Sequence, residues 1–207
     1  MRTAQTSLEL GSVVSLLLLS SCVSVPSLFP LYTETDVFFE EELLGEWLDG
    51  DGDRWTFEDT GHGDYLVTYQ PRNVSFVENE SEPGAPALLS ARLVQLEDAT
   101  FLDFYLEDIP LSNWMQAVHV LPVHTFAKVS ISEGSVRIAF MSSDWFEHAQ
   151  KEEAVTIDHI ETEDSLLLTA PTSELQEFVR SVADNPKAFN LDDGVELSPD
   201  NRTAGFG

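Results

Sequence analysis

The stretch 43–57 constrains the fold more than any other, because its pattern predicts two short β-strands joined by a tight turn. Trp47 and Trp55 are equidistant from Asp51, and a chain that reverses direction over the Asp-Gly-Asp-Gly-Asp run would bring the two indoles together. Glycine in that run supplies the positive φ angles that residues with a Cβ disfavour. Trp55 and Phe57 should then share one face of the returning strand. The stretch predicts the first corner of a small β-barrel.

The acidic run within this stretch is partly similar to a calcium-binding loop. An EF-hand loop that began at Asp49 would need glycine at position 54 and glutamate at position 60. The chain has Arg54 and Thr60 there. We therefore interpret the run as a solvated hairpin tip and predict no metal.

Short alternating segments, separated by turn residues, follow along most of the chain. This pattern is typical of all-β proteins, and it predicts an antiparallel barrel or strongly curved sheet of about eight or nine strands. Besides the strands of the first corner, the predicted strands are 65–69, 74–77, 88–96, 100–106, 125–132, 135–141, 154–160 and 165–169.

The best-defined hairpin has Glu133-Gly134 as its two-residue turn. That register places Ile131 opposite Val136, Val129 opposite Ile138 and Ala127 opposite Phe140. Charged and small polar side chains fall on the other face. One face of this hairpin should therefore pack in the core, and the other should face solvent.

Two helices interrupt the strands. Asp144 can cap a short helix near 144–151. Ser173 and Gln176 form a capping box for a second helix near 173–184, which should pack on the barrel through an apolar stripe. The stripe consists of Leu175, Phe178, Val179 and Val182.

The remaining segments set the domain organisation. The apolar run 13–19 is too short to span a bilayer, which needs about 20 apolar residues, so 1–21 are predicted to be an export signal. Two prolines without periodicity predict a tether within 22–42. One β domain should occupy 43–185, and the polar segment 186–207 is predicted to be a loose tail.

Leu19-Ser20-Ser21-Cys22 resembles the lipobox of bacterial lipoproteins, and Cys22 is the single cysteine of the chain. The resemblance implies cleavage before Cys22, which becomes an N-terminus that carries acyl chains such as palmitate. The expected location is the cell envelope, anchored to a membrane by those chains. Val23 is not the aspartate associated with inner-membrane retention, which favours the outer membrane if the host is Gram-negative.

Gly45-Glu46-Trp47 resembles the Gly-x-Trp motif of the lipocalin-like barrels. In that family the motif starts the first strand, and its Trp plugs one end of the barrel. The strand number and the helix after the last strand agree with the family. The basic residue that covers the Trp in the family has no counterpart in 168–171, and Arg180 and Arg137 are the two alternatives.

The charge of −27, from 37 acidic and 10 basic residues, excludes nucleic acid as a partner and disfavours anionic headgroups. Because the acids are spread along the chain, they are interpreted as a solvating surface.

The sequence gives little indication of a catalytic site. The chain contains no Gly-x-Ser-x-Gly, P-loop or Cys-x-x-Cys sequence. His119 and His124 do not have a familiar metal-ligand spacing. Neighbouring acids such as Glu152 and Glu153 do not indicate a catalytic pair, because adjacent acids are frequent in a chain that has 37 of them. We therefore predict a non-catalytic protein without a cofactor.

Three classes of function stay open: a barrel that binds a small apolar or amphipathic ligand, a filled barrel that binds an envelope protein or has a structural role, and an enzyme. The first is our leading expectation. The barrel interior discriminates between the first two, because a large apolar cavity favours a ligand and a solidly packed interior favours a surface role.

Overall fold

The structure is a computed structural model that describes residues 24–72, 85–107, 115, 118–162 and 166–200. Its described part contains twelve short strands, two α-helices and a 3-10 turn. The strands are β1 (Pro26–Ser27), β2 (Val37–Phe38), β3 (Gly45–Leu48), β4 (Arg54–Asp59), β5 (Tyr65–Gln70), β6 (Ala87–Leu96), β7 (Ala99–Leu106), β8 (His124–Ser132), β9 (Ser135–Phe140), β10 (His159–Glu161), β11 (Leu166–Leu168) and β12 (Val195–Pro199). The helices are α1 (Ser143–Lys151) and α2 (Thr172–Val182), and the 3-10 turn is Glu41–Leu43.

Eight of the strands close into an antiparallel barrel. Strands β3 to β9 pair in chain order, and β12 pairs with both β9 and β3, which completes the ring. The predicted fold class, a mainly β protein with an antiparallel barrel consistent with the lipocalin-like plan, is confirmed. Closure leaves these eight strands without an open edge in the ring.

A small second sheet is attached to the barrel at β8. The first residues of β8 pair with β1, whereas its later residues pair with β9. Strand β1 also pairs in parallel with β11, and β11 pairs with β10. Strand β2 is added separately along β6. The segment that begins at Ser24 is therefore part of the fold.

The wall formed by β6 to β9 is buried on both faces. On β6, Leu93 packs inside the barrel while its neighbour Val94 belongs to a second core outside. On β7, Leu102 likewise packs inside the barrel, and its neighbour Phe101 belongs to the outer core. The outer core is covered by α1, α2 and the attached sheet, through residues that include Phe146, Leu168, Leu175, Phe178 and Val179. Both helices therefore lie outside the barrel.

The hairpin between β8 and β9 has the predicted register. Ile131 pairs with Val136, Val129 with Ile138, and Ala127 with Phe140. Gly134 has a φ of +76°, as the turn requires. The hairpin prediction is confirmed.

Replacing Gly134 with valine should lower the free energy of unfolding by about 1–2 kcal/mol, because a β-branched residue resists a positive φ. A Cβ at this position would meet no atom within 4 Å, so the expected loss reflects backbone strain alone. Gly134→Asn is the matched control, since asparagine tolerates this conformation better, and urea unfolding measures both variants. Equal stability of the two variants would contradict the explanation by backbone strain.

Several predicted strand boundaries differ from the observed ones. The strand expected at 154–160 is reduced to His159–Glu161, because 152–158 form the turn after α1 and an extended connection. The strand predicted at 74–77 lies outside the described residues.

Both helices are present, but both predicted caps are wrong. Helix α1 is capped by Ser142, whose Oγ accepts a hydrogen bond from the Trp145 N–H, and not by Asp144. Helix α2 has Pro171 at its N-cap with no side-chain cap. Gln176 does not form the predicted capping box. Its Nε2 instead donates to the Leu31 carbonyl and to the Asp36 carboxylate, each at 2.8 Å. The predicted apolar stripe of α2 is fully buried.

The predicted tether is wrong over the described part of 22–42. Val25 and Leu31 are 1% and 0% exposed, because the proline-containing segment fills the gap that β9 leaves beside β8. The predicted tail is also wrong for its described residues. Strand β12 lies within it, and Leu197 is completely buried. Both errors arose because short segments with prolines can pair with strands that are distant in the sequence.

Candidate functional site

The predicted lipid-attachment residue, Cys22, lies outside the described residues. The first described residue, Ser24, forms an isolated β-bridge with Ser142, the cap of α1. The next residue, Val25, is part of the outer core. Lipid attachment therefore stays a prediction.

Gly45 and Trp47 lie where the sequence places them, at the start of the first barrel strand. Gly45 has a φ of +118°, a conformation that L side chains rarely adopt. The Trp47 indole is buried, and its Nε1 donates to the Leu43 carbonyl at 2.9 Å. Trp55 is its partner on β4. Leu43 of the 3-10 turn and Trp47 therefore pack together in the interior cluster.

Neither alternative for the covering arginine contacts Trp47 in the described structure. Arg180 lies on α2, outside the barrel, and its Nη2 donates to the Gln176 side chain. Arg137 is on the outer face of β9, within 4.0 Å of the exposed acids Asp192 and Glu196. The basic residue closest to the motif along the ladder is Arg54, which pairs with Leu48 and forms ion pairs with Glu46 and Asp200.

Aromatic rings fill much of the barrel interior. The Trp55 ring centroid lies 4.8 Å from that of Tyr69 and 6.3 Å from that of Phe104. Phe104 in turn lies 6.0 Å from Phe140, so rings reach from β4 across to β9. The completely or largely buried interior residues include Phe57, Tyr65, Val67, Leu93, Leu102, Val136, Ile138 and Leu197.

The polar atoms of the interior tyrosines are satisfied. The Tyr65 hydroxyl bonds to both the N–H and the carbonyl of Glu40, at 2.7 and 3.0 Å. Burial raises the pKa of Tyr65 to about 12. The Tyr69 hydroxyl donates to the Asp53 carboxylate at 2.5 Å, and burial together with that carboxylate raises its pKa as well. Both phenols therefore stay neutral, as packing elements rather than acids.

The most distinctive chemical group in the described structure is a buried pair of Asp103 and His124. Their side chains are 1% and 12% exposed, and the distance from Asp103 Oδ1 to His124 Nδ1 is 2.7 Å. The other carboxylate oxygen accepts the Leu31 N–H at 2.8 Å. Burial raises the pKa of the Asp103 carboxyl, an effect that the hydrogen bond and charge of His124 oppose.

Aromatic and cationic side chains surround this pair on the outer wall. The Tyr105 ring centroid is 4.8 Å from the His124 ring, and the Tyr32 centroid is 6.4 Å from it. Arg92 lies over Tyr32, with its Cζ 4.7 Å from the ring centroid. Asp103 therefore holds the segment around Leu31 against the barrel wall.

Ser27 is the strand partner of His124, which raises the question of a Ser-His-Asp triad. The Ser27 side chain is completely buried, and its Oγ donates to the Phe29 carbonyl at 2.8 Å. A triad needs a nucleophile that is accessible and hydrogen-bonded to the histidine. This serine therefore stabilises a local turn and is unsuited to attack a substrate.

Three surface cavities can be described. One, of about 560 Å³, is lined by the β3–β4 turn and the start of β12, with four acids: Asp49, Asp51, Asp193 and Glu196. Two more, of about 490 and 470 Å³, lie beside α2 and beside β8. Among the described residues, no group of three or more His, Cys, Asp or Glu side chains is placed to hold a metal ion.

The other candidate catalytic residues do not converge. His119 is exposed in the connection before β8, and Glu152 and Glu153 are exposed after α1. The Asp103 and His124 pair was not predicted as a unit. The available signal was a single acid within the apolar run Thr100–Leu106, which suggests a buried and partnered carboxylate.

No family model, curated protein or solved structure matches the chain. In the described residues, none of the helices has both the length and the apolar character needed to cross a membrane.

Proposed function

We propose that this is an exported, lipid-anchored protein of the cell envelope that acts without catalysis, through the outer surface of a filled barrel. The observation that carries the surface role is the packing of the interior, where Trp55, Phe57, Tyr65 and Phe104 are at most 8% exposed. A barrel of eight strands is just wide enough for side chains to fill. Large aromatic rings at its centre leave that space occupied.

The anchor rests on the lipobox-like Leu19-Ser20-Ser21-Cys22 and on the solitary cysteine. Two or three acyl chains on Cys22 would attach the domain durably, because a single chain of myristoyl length gives only marginal binding. The acidic surface supports a role in which the protein binds neither nucleic acid nor anionic headgroups.

A small apolar or amphipathic ligand is the second candidate. It is supported by three side chains of the interior cluster that are only partly buried, namely Tyr69, Leu89 and Phe140. Such residues could form the floor of a shallow site for an apolar molecule.

Native mass spectrometry of protein extracted from its own host tests both candidates. We expect an intact mass that includes acyl chains on Cys22 and no retained small molecule. We also expect a bound protein partner, at substoichiometric or full occupancy. A retained apolar molecule that is displaced by Phe140→Ala would instead favour the ligand candidate. Unmodified Cys22 would refute the lipid anchor.

The anchor has a direct genetic test. Cys22→Ser should abolish acylation and move the protein to the aqueous phase of a detergent separation or leave the precursor uncut. Ser21→Ala is the matched control, because it keeps a small residue before the cysteine and should be processed normally. A wild-type protein that partitions into the aqueous phase with an unmodified Cys22 thiol would contradict the proposal.

A further inference from the structure

We infer that the cavity beside α2 binds an extended, positively charged peptide segment of an envelope protein, which is added there as a β-strand. This assignment rests on the surface role proposed above, and it names the surface and the chemistry of the partner. The cavity, here called the α2 groove, has residues 154–157 on one side and Glu174, Glu177, Phe178 and Ser181 of α2 on the other. Its volume of about 490 Å³ is within the range of ligand sites, which is about 300–1,000 Å³.

One wall of the α2 groove has the pattern of a β-strand without having a strand as its partner. Along 154–158 the burial of the side chains alternates. Val155 and Ile157 pack against the outer core, and the other three residues are exposed. The ladder with β11 begins only at His159. The sequence pattern that predicts a strand over 154–160 is therefore present in the packing, although most of it is unpaired.

The backbone of this wall can still accept a partner strand. Within the described residues, the peptide groups of Val155 and Thr156 form no hydrogen bond with the rest of the protein. The carbonyl of Asp158, by contrast, accepts the N–H groups of Thr169 and Ala170. Addition of an extended peptide to an unpaired strand satisfies such donors and acceptors, and it is a recurring mode of peptide recognition.

The floor of the α2 groove is apolar and well packed. Phe178 and Ile157 are 7% and 9% exposed. The ring centroid of Phe178 lies 5.9 Å from that of Phe146, and the two rings are almost perpendicular. Because the outer core supports the floor, little ordering is needed when a ligand binds. Side chains alternate along a strand, so every second side chain of the added peptide would face this floor.

The charges around the α2 groove determine the sign of its partner. Glu174 and Glu177 are three residues apart, so they share one face of α2. Both are exposed, and neither forms an ion pair within the described residues. Three more exposed acids flank segment 154–157 along the chain: Glu152, Glu153 and Asp158. A peptide that carries Lys or Arg at alternate positions fits these acids.

The basic side chains on the two helices are already engaged. Lys151 lies 3.5 Å from Glu147, and Arg180 donates to the side chain of Gln176. They therefore do not neutralise the acids of the α2 groove. An acidic peptide would be repelled, and so would a second copy of this chain, whose net charge is −27.

Three fluorescently labelled peptides test the α2 groove in the full-length protein, purified in detergent. The first alternates lysine and valine over six residues. The second has glutamate in place of each lysine. The third has proline in place of each valine, which removes main-chain donors and prevents regular strand pairing. Fluorescence anisotropy should show saturable binding of the first peptide alone, and hydrogen exchange of the amides in 155–156 should slow when it binds.

A pair of double variants tests the charges. Glu174→Gln combined with Glu177→Gln should weaken binding of the lysine peptide by about fivefold, because two exposed ion pairs are lost. Glu58→Gln combined with Glu107→Gln is the matched control. It removes two exposed acids elsewhere on the surface and should change the affinity by less than about twofold.

Three results would overturn the inference: equal weakening in both double variants, equal binding of the proline peptide, or saturable binding of the glutamate peptide. Slow exchange in 155–156 without any peptide, in particles of twice the protein mass, would assign the α2 groove to a second copy and would also overturn it.

Native mass spectrometry of the Glu174→Gln and Glu177→Gln double variant, extracted from the host, separates the α2 groove from the proposed function. Loss of the protein partner from this variant, but not from the control variant, would support the groove. A partner that the variant retains as well as the wild type does would leave the surface role standing and refute the groove alone. A wild-type protein with a retained small molecule and no protein partner would refute the surface role, and the groove with it.

Discussion

Deleting residues 193–207 is expected to abolish the cooperative unfolding transition. The deletion removes β12, which pairs with β9 through Val195, Glu196 and Leu197 and with β3 through Ser198 and Pro199. Without it the ring opens, and β3 and β9 become unpaired edges that invite association with other chains. The apolar interior behind Leu197 would also be exposed to water.

Two point variants isolate the contribution of β12 from that of the residues after it. Leu197→Ala should lower the free energy of unfolding by about 2–5 kcal/mol, because it leaves a cavity at a fully buried position. Glu196→Ala on the neighbouring, exposed position should change it by no more than about 0.5 kcal/mol. Urea unfolding followed by tryptophan fluorescence measures both. A deletion variant that unfolds at the wild-type midpoint would show that the barrel does not need β12.

The strands of the barrel could be predicted where alternation and a local turn acted together. Trp47 pairs with Trp55, and Trp55 and Phe57 are buried on one face, as the first corner required. The hairpin at Gly134 has its predicted register because a two-residue turn leaves few alternatives. These contacts are close in sequence, so residue types within a short window determine them.

The errors occurred where distant contacts outweighed local patterns. The segment 24–30 contains two prolines, yet a gap beside β8 gives its backbone a partner. Gln176 matches a capping box locally, but its side chain instead satisfies the buried Leu31 carbonyl. An unsatisfied buried carbonyl costs more than an uncapped helix end in contact with water, so the distant bond prevails.

The candidate site was less predictable than the fold. Asp103 and His124 are 21 residues apart, and only the pairing of β7 with β8 brings them together. The sequence marked Asp103 as an unusual acid in an apolar strand, but it held no information on Leu31 as a second partner.

Replacing Asp103 with alanine should lower the free energy of unfolding by about 3 kcal/mol or more. The buried Leu31 N–H would lose its acceptor, at a cost of about 1–3 kcal/mol, and His124 would lose its partner at the same time. Asp103→Asn is the matched control, because its carbonyl oxygen can still accept the Leu31 N–H, and it should be less destabilised. If the two variants were equally stable, the bond to Leu31 would contribute nothing measurable.

The pH dependence separates the charge of Asp103 from its hydrogen bonds. Burial raises the pKa of this carboxyl above its ordinary value of 3.8, and His124 and Arg92 oppose the shift. Because the folded-state pKa is the higher one, the stability that this group contributes is complete below pH 3.8 and is lost as the pH rises through the folded-state value. The stability of the wild type relative to Asp103→Asn should therefore decline with rising pH over that interval. Urea unfolding of both proteins at matched pH values measures it, and a relative stability that increased with pH would show that the fold favours the ionised carboxylate.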